Sequence, residues 1–230
     1  MMKFHAALAA LALCGSMSAR AADGVKSPAS DMQREGSGLQ PQVATTSEAA
    51  TRVMDWIAAT GDNRSLPYVV IDKVAARAFL FDAKGKNVAD APILIGIAAG
   101  DDATPGVGKK SLSEIGPAEK TTPAGRFLAK FGLAAGNQKV LWVDYATSVA
   151  LHTIPGGNPK ERRRARMLSS TIEDNRITFG CINVPKAFYN GHLRKLFLRK
   201  GGYVYVLPDT KSLEEVFPPI RVQPFLTSTM

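Results

Sequence analysis

The chain has 230 residues, of which 45% are hydrophobic and 21% charged, with a net charge of +9 and only two cysteines. This length suits one domain of ordinary size with a sizeable core, and the composition excludes a disordered chain, a disulfide-rich scaffold and a collagen-like repeat. No run of about 18 uncharged apolar residues occurs, so the sequence predicts no permanent membrane-spanning helix.

The first 21 residues predict an export signal. Lys3 provides a positive start, residues 4–15 form an apolar run rich in alanine and leucine, and small residues follow at positions 19 and 21. We expect a signal peptidase to cleave after Ala21 or Ala22. This predicts that the mature protein is periplasmic or belongs to the cell envelope.

Cysteine is scarce in the mature sequence. The alternative to simple export is a lipoprotein lipidated at Cys14, which Leu13 disfavours because the processing enzyme requires a small residue before the cysteine. The expected cleavage removes Cys14 and leaves one cysteine, Cys181, with two histidines, His152 and His192. A lone cysteine forms no internal disulfide, so it is an intermolecular link, an inert buried residue or a nucleophile.

A tether and a helix are predicted before the main domain. Residues 22–44 are rich in serine, glycine, glutamine and proline without apolar periodicity, which is typical of a flexible tether. Thr45, followed three residues later by Glu48, predicts a capping box at the start of a helix. Apolar side chains then recur at helical spacing up to Gly61, so we expect an accessory helix over residues 45–61.

Short runs rich in β-branched and aromatic residues dominate the rest of the chain. They predict seven strands, over residues 67–72, 78–82, 92–98, 126–131, 140–145, 149–154 and 202–207. One helix is predicted over residues 185–199, where Pro185 suits a first turn and one face is apolar. The pattern favours a mainly β domain over residues 66–208, a sandwich or barrel, followed by a C-terminal tail over residues 209–230.

The surroundings of Cys181 favour the nucleophile. It follows a β-rich segment over residues 176–179 and Gly180, whose missing side chain leaves room for a substrate and permits unusual backbone dihedrals. The amides of Gly180 and Cys181 could then face a developing oxyanion. A free thiol titrates near about 8.5 and needs a base. His152, at the end of a predicted strand, is the favoured base, whereas we expect His192 to be structural.

These residues resemble the catalytic domain of the YkuD-type L,D-transpeptidases. The signature of that family is a histidine followed later by Ser/Thr-His-Gly-Cys, a hydrophobic residue, and Asn or Arg. Here it reads His152 and then TFGCIN at residues 178–183. Residues 120–127 are similar to the family's Thr-Pro-x-Gly-x-Phe segment, and residues 68–86 to its opening hairpin. The resemblance covers residues 66–208 and implies a YkuD-like β-sandwich or barrel.

Two departures from the family pattern stand out. Phe179 occupies the position of a second histidine, so no role of that imidazole transfers. The gap between His152 and Cys181 holds 28 residues, which is longer than the family usually shows. The extra segment, residues 155–175, carries five cations: Lys160, Arg162, Arg163, Arg164 and Arg166. This segment is either a lid whose cations attract the carboxylates of peptidoglycan stem peptides or a solvated basic loop.

The resemblance implies an exported cysteine acyltransferase acting on peptidoglycan tetrapeptide stems. Cys181 would attack the carbonyl before the terminal D-Ala, and His152 would take the thiol proton and pass it to the leaving amine. The Thr153 carbonyl would hold the imidazole in its working tautomer, while the Gly180 and Cys181 amides would stabilise the oxyanion. We also expect hydrogen bonds that order the loop from Thr178 and Asn183.

Several points stay open at this stage. The acyl acceptor is a second stem's side-chain amine, a lysine of an envelope protein, or water. Water would give an L,D-carboxypeptidase or amide hydrolase, and a non-catalytic peptidoglycan-binding module is a further alternative. We expect a monomer, no nucleic-acid partner because the chain is exported, and no metal or other cofactor because His and Cys are too few for a thiol and imidazole site.

Overall fold

The structure is a computed structural model that describes residues 46–222. The predicted export signal, the predicted tether, Thr45 and the end of the predicted tail lie outside these residues. The described part of the chain contains ten strands: β1 Tyr68–Asp72, β2 Arg77–Phe81, β3 Asn87–Pro92, β4 Ile95–Gly96, β5 Gly125–Leu133, β6 Lys139–Asp144, β7 Val149–Thr153, β8 Arg176–Thr178, β9 Ile182–Val184 and β10 Gly202–Val206.

Helices lie before β1, in the extra segment over residues 155–175 (the insertion), between β9 and β10, and after β10. They are α1 Glu48–Thr60, α2 Arg163–Met167, α3 Ile172–Asn175, α4 Lys186–Phe188, a π-helical segment Tyr189–Leu193, α5 Arg194–Phe197 and α6 Leu213–Val216. Short 3₁₀ turns occupy Val107–Lys109, Leu112–Glu114, Pro117–Glu119, Ala135–Asn137, Pro159–Glu161 and Pro218–Val222.

Eight strands form one sheet in the order β3-β2-β1-β10-β5-β6-β7-β9, and β4 pairs with β8. The two edges of the large sheet meet through the chain that follows β3. Leu94 N–H donates to Asn183 O at 3.0 Å, and Asn183 N–H donates to Leu94 O at 2.9 Å. The sheet therefore curls into a barrel-like shape, which confirms the predicted mainly β fold.

The two faces of the sheet are packed differently. The inner face buries aliphatic side chains such as Ile71, Leu151 and Ile182 in one core cluster. On the outer face, α1 and the C-terminal segment cover the half formed by β1, β2 and β10, where Trp56 packs edge-on against Tyr205 at a centroid distance of 6.2 Å. Burial of these aromatic side chains stabilises the covered half.

The other half of the outer face is not covered by α1 or by the C-terminal segment. Leu128 of β5 is 50% exposed, and its neighbour Lys130 on the same face is exposed as well. Side chains directly opposite each other on paired strands share a face, so this face continues across β6 to His152 on β7. This open face is exposed at β5 but only partly so at His152 and Cys181, and Ala150 of β7 and Asn183 of β9 are buried on it.

Some predicted elements need correction. The accessory helix begins at Glu48, and its N-cap is Ser47, whose side chain accepts a hydrogen bond from Ala50 N–H. The predicted strand over 92–98 is wrong in extent. β3 ends at Pro92, and within residues 93–98 the strand β4 covers Ile95–Gly96 alone. The predicted helix over 185–199 is present but contains the π-helical segment near Gly191.

A buried ion cluster joins the loops that follow β1 and β10 to the loop at Asp101. Lys73 is fully buried, and its Nζ contacts an Asp101 oxygen at 2.9 Å and an Asp209 oxygen at 3.3 Å. Burial alone would raise the pKa of Asp101. The hydrogen bonds from Lys73 and from the amides of residues 209–211 instead hold it well below its usual range.

Within residues 46–222, Lys73 is the one side-chain cation paired with Asp101, and replacing it by methionine leaves that carboxylate buried. We expect Lys73→Met to lower the free energy of unfolding by about 3–5 kcal/mol, as breaking one side of a buried ion pair does. Urea denaturation followed by circular dichroism measures this loss. The exposed Lys84→Met is the control and should shift stability by less than about 0.5 kcal/mol; a Lys73 variant as stable as that control would show that the cluster is not stabilising.

Candidate active site

The parallel pairing of β7 and β9 places Cys181 and His152 at neighbouring positions of the sheet, and among residues 46–222 no hydrogen bond joins the two side chains. His152 lies directly opposite Asn183, and Leu151 opposite Ile182. Cys181 is two residues before Asn183, so the alternation of side chains places it on the same open face as His152. Two residues along a strand and one strand across separate the two Cα atoms by about 8 Å, which a thiol and an imidazole side chain can span.

The turn that presents Cys181 requires the glycine before it. Gly180 has φ of +124°, a conformation that L-residues rarely adopt, and a Cβ there would lie 2.6 Å from the Thr121 carbonyl oxygen. Cys181 itself is partly exposed, with its Sγ 3.7 Å from the Ser148 carbonyl oxygen. The residue is thus partly accessible, while its sulfur lies against the backbone of β7 and is largely shielded from solvent.

The imidazole of His152 has a defined orientation. Its Nδ1 lies 2.7 Å from the Thr153 carbonyl oxygen, and because that oxygen can only accept, Nδ1 carries the proton. Nε2 is then the basic nitrogen, and it lies 3.5 Å from the Asn183 side-chain nitrogen. The Asn183 amide can donate to Nε2 over this long contact, so a thiol proton reaches Nε2 by displacing that contact.

Burial shifts the pKa values of both side chains toward their neutral forms. It lowers the pKa of His152; the Thr153 hydrogen bond opposes this shift, and the charge of Arg163 adds to it. Burial also raises the pKa of the Cys181 thiol, against the opposing effects of the Ala150 amide and Arg163. At neutral pH the resting pair is therefore a thiol and a neutral imidazole, so proton transfer accompanies attack by sulfur.

Thr178 holds the loop through its hydroxyl group, which is buried. Oγ1 accepts a hydrogen bond from Gly180 N–H at 3.1 Å and donates one to the Cys181 carbonyl at 2.6 Å. The Gly180 amide is thereby engaged, which corrects the expectation that it faces an oxyanion. Among residues 46–222, by contrast, no acceptor takes a hydrogen bond from Cys181 N–H.

Arg163 reaches this site from the basic insertion. Its Nη1 donates to Asn183 Oδ1 at 2.8 Å, and its Nε donates to Glu161 at 2.6 Å. Asn183 is buried, and its side-chain amide lies between Arg163 and the His152 ring. The insertion thus brings a positive charge next to the base.

The other arginines of the insertion have different surroundings. Arg166 donates to the carbonyls of Glu173, Asp174 and Arg176, so it holds the insertion together. Arg162 and Arg164 are exposed and, with Arg163, line a cavity of about 400 Å³ beside the end of β7. Its charged lining is these three arginines and Glu161, and its connection to the site is Arg163, which contacts Asn183.

Two further positions were singled out in the sequence. Phe179 is 38% exposed, and Lys120 Nζ lies 3.8 Å from the centre of its ring, a cation–π contact. His192 is exposed in the π-helical segment and does not belong to β7 or β9. Within the described part of the chain, no three His, Cys, Asp or Glu side chains cluster to hold a metal ion, and no helix is long and apolar enough to cross a membrane.

Thr122 is a further part of the site, which no local sequence pattern predicts. Its hydroxyl donates to the Gly180 carbonyl at 2.9 Å and accepts from Gly96 N–H at 2.9 Å. Thr122 begins the Thr-Pro-x-Gly stretch, which was the available signal, but a contact across 58 residues of sequence cannot be derived from that stretch alone.

Comparison with known proteins gives matches among solved structures. The sequence matches no family profile and no curated protein. An L,D-transpeptidase structure from Xylanimonas cellulosilytica matches with 17% identity and a TM-score of 0.38, covering 62% of this chain and 60% of that one. Bd1075 from Bdellovibrio bacteriovorus matches with 13% identity and a TM-score of 0.36, covering 67% of this chain and 53% of that one. The case for a function therefore rests on the site residues.

The protonation state of the resting pair is directly measurable. Because the pKa of the Cys181 thiol is raised, little thiolate exists at neutral pH, and we expect its alkylation by iodoacetamide to accelerate as pH rises past the ordinary thiol value of about 8.5. Mass spectrometry at a series of pH values gives the rates, with Cys181→Ser as the control for labelling elsewhere. A rate that is already maximal below pH 7 would instead indicate a resting thiolate and imidazolium pair.

Proposed function

We propose that this chain is an exported cysteine acyltransferase of the L,D-transpeptidase type, acting on peptidoglycan tetrapeptide stems in the periplasm or cell envelope. The observation that carries the proposal is the β7–β9 pairing, which sets a partly exposed cysteine and an oriented imidazole on one face of the sheet. The TFGCIN stretch and the upstream His152 support the substrate class through their resemblance to the family signature.

The chemistry follows from the protonation states of the site. His152 Nε2 accepts the thiol proton as Cys181 Sγ attacks the carbonyl before the terminal D-Ala. The tetrahedral intermediate collapses to a thioester when the amine of D-Ala leaves with a proton from His152. An acceptor amine then attacks the thioester, His152 removes its proton, and Cys181 is released as the thiol.

The basic cavity suits the anionic groups of such a substrate. A tetrapeptide stem carries carboxylates, and exposed guanidinium groups attract them over a distance of about 8–10 Å at physiological salt. Arg162 and Arg164 line the cavity without a carboxylate partner among residues 46–222, whereas Arg163 is paired with Glu161. We assign Arg162 and Arg164 to attraction of the stem, and Arg163 to orienting Asn183 beside the base.

Hydrolysis is the second candidate function, because the same thioester can transfer its acyl group to water. The partly exposed Cys181 favours access by water, which is the specific observation behind this alternative. The acceptor distinguishes the two functions, and a lysine of an envelope protein would be a third acceptor of the same amine chemistry.

Product analysis tests the proposed function. Purified protein incubated with disaccharide-tetrapeptides should yield crosslinked dimers that have lost one D-Ala, detected by mass spectrometry, while Cys181→Ala should yield none. Tripeptide monomers alone would favour the L,D-carboxypeptidase. Absence of any D-Ala release from the folded wild type would contradict both enzymatic readings and favour the binding module.

The basic cavity makes a separate prediction. Arg164→Gln removes one exposed guanidinium, and we expect the KM for tetrapeptide to rise about two- to fivefold with kcat unchanged, because exposed charge pairs contribute about 0.2–1 kcal/mol. The effect should shrink as salt is raised. Arg199→Gln, at an exposed position after α5, is the matched control. Identical KM values for the two variants would show that the insertion is only a solvated basic loop.

A further inference from the structure

The hydroxyl of Thr122 has both of its hydrogen-bonding roles assigned by its neighbours. Thr122 is 1% exposed. Gly96 N–H can only donate to it, so its single proton points to the Gly180 carbonyl oxygen, which can only accept. This hydroxyl therefore pins the Gly180 carbonyl in one direction.

Because the Gly180 carbonyl is fixed in direction, the Cys181 amide is fixed as well. The Gly180 carbonyl and Cys181 N–H belong to the same peptide unit, and in a planar trans peptide the two groups point in opposite directions. Thr122 thus determines where Cys181 N–H points, namely away from Thr122. Since Thr178 already engages Gly180 N–H, the Cys181 amide is the donor of this turn that stays available beside the sulfur.

Thr122 is itself held in place by the buried ion cluster. Its carbonyl accepts from Lys73 Nζ at 3.0 Å, and the same Nζ also contacts Asp101 and the Gly100 carbonyl. β4 also packs tightly against the chain leading into Thr122, because a Cβ at Gly96 would lie 2.2 Å from the Lys120 carbonyl oxygen. The hydroxyl therefore has little freedom to turn away from the Gly180 carbonyl.

We propose that Thr122 is a positioning residue that aims Cys181 N–H at the oxyanion of the acyl-transfer intermediate. This role rests on the proposed function, because the oxyanion forms only when Cys181 attacks a carbonyl. As the S–C bond forms, the carbonyl π electrons move to oxygen, His152 holds the thiol proton, and Cys181 N–H donates to the new oxyanion. Collapse restores the carbonyl and expels D-Ala with that proton.

The test compares two reactions of the same sulfur in Thr122→Val and Thr122→Ser. Valine keeps the shape but loses the hydroxyl, whereas serine keeps the hydroxyl. Loss of one oxyanion donor lowers kcat by about 10²–10³-fold, so misdirecting it should lower kcat for D-Ala release by about 10- to 100-fold, with KM changed less than about threefold. Alkylation by iodoacetamide displaces iodide without forming an oxyanion, and its rate should change less than threefold. Thr122→Ser should retain both rates.

Each outcome decides the matter. Because valine leaves buried polar groups unpaired, circular dichroism must show a folded variant, and Thr122→Ala, which removes the hydroxyl without a new methyl contact, provides a second measurement. Wild-type kcat in both hydroxyl-free variants, or an equal loss of alkylation, would overturn the positioning role while leaving the proposed function intact. A wild type that is alkylated but releases no D-Ala would overturn the proposed function and this role together.

Discussion

The parallel pairing of β7 and β9 is the constraint on which the site depends. It sets His152 opposite Asn183 and Cys181 two residues away on the same face, in a register that a slip of one residue would turn toward the core. That register is held from outside the pair as well, because Asn183 exchanges two backbone hydrogen bonds with Leu94 where the sheet closes. The contacts that close the barrel-like sheet therefore also hold the site in register.

Polar groups around Cys181 and His152 orient the reacting side chains through hydrogen bonds. Thr153 assigns the imidazole tautomer, and the hydroxyls of Thr178 and Thr122 fix the two peptide units around Gly180. Each hydroxyl receives one hydrogen bond and donates another, so neither is left unsatisfied in the interior. The charge of Arg163 lowers the pKa values of both His152 and Cys181. Its guanidinium donates a hydrogen bond to Asn183 rather than to the sulfur.

Much of the fold follows from local patterns, and its errors have physical causes. The runs at β1 and β10 are buried along their whole length, so their β-branched and aromatic residues give a strong signal. β3 has the sequence NVADAP and is largely exposed at the edge of the sheet, so it lacks that signal. The predicted strand therefore begins at residue 92, where β3 ends. β9 has three residues and is ordered by β7 and by Leu94, which no local pattern indicates.

Some residues of the candidate site are likewise predictable from local sequence, and others are not. His152 and Cys181 were identifiable because each lies in a recognisable stretch of sequence. The role of Thr122 was not, because it depends on a loop 58 residues away approaching Gly180. The distinction between Arg163, which contacts Asn183, and Arg166, which holds the insertion, depends on how α2 and α3 fold back. A run of arginines in the sequence gives no information about that arrangement.

Activation of Cys181 by His152 is measured most directly by the intact mass of the protein after incubation with a carbapenem, whose strained carbonyl is an acyl donor for an activated thiol. If His152 activates Cys181 on an open face, the wild type gains the mass of one carbapenem. Cys181→Ala then gains none, and His152→Ala acylates about 10²–10⁴-fold more slowly. An adduct that persists in Cys181→Ala, or forms equally fast without His152, would contradict the account.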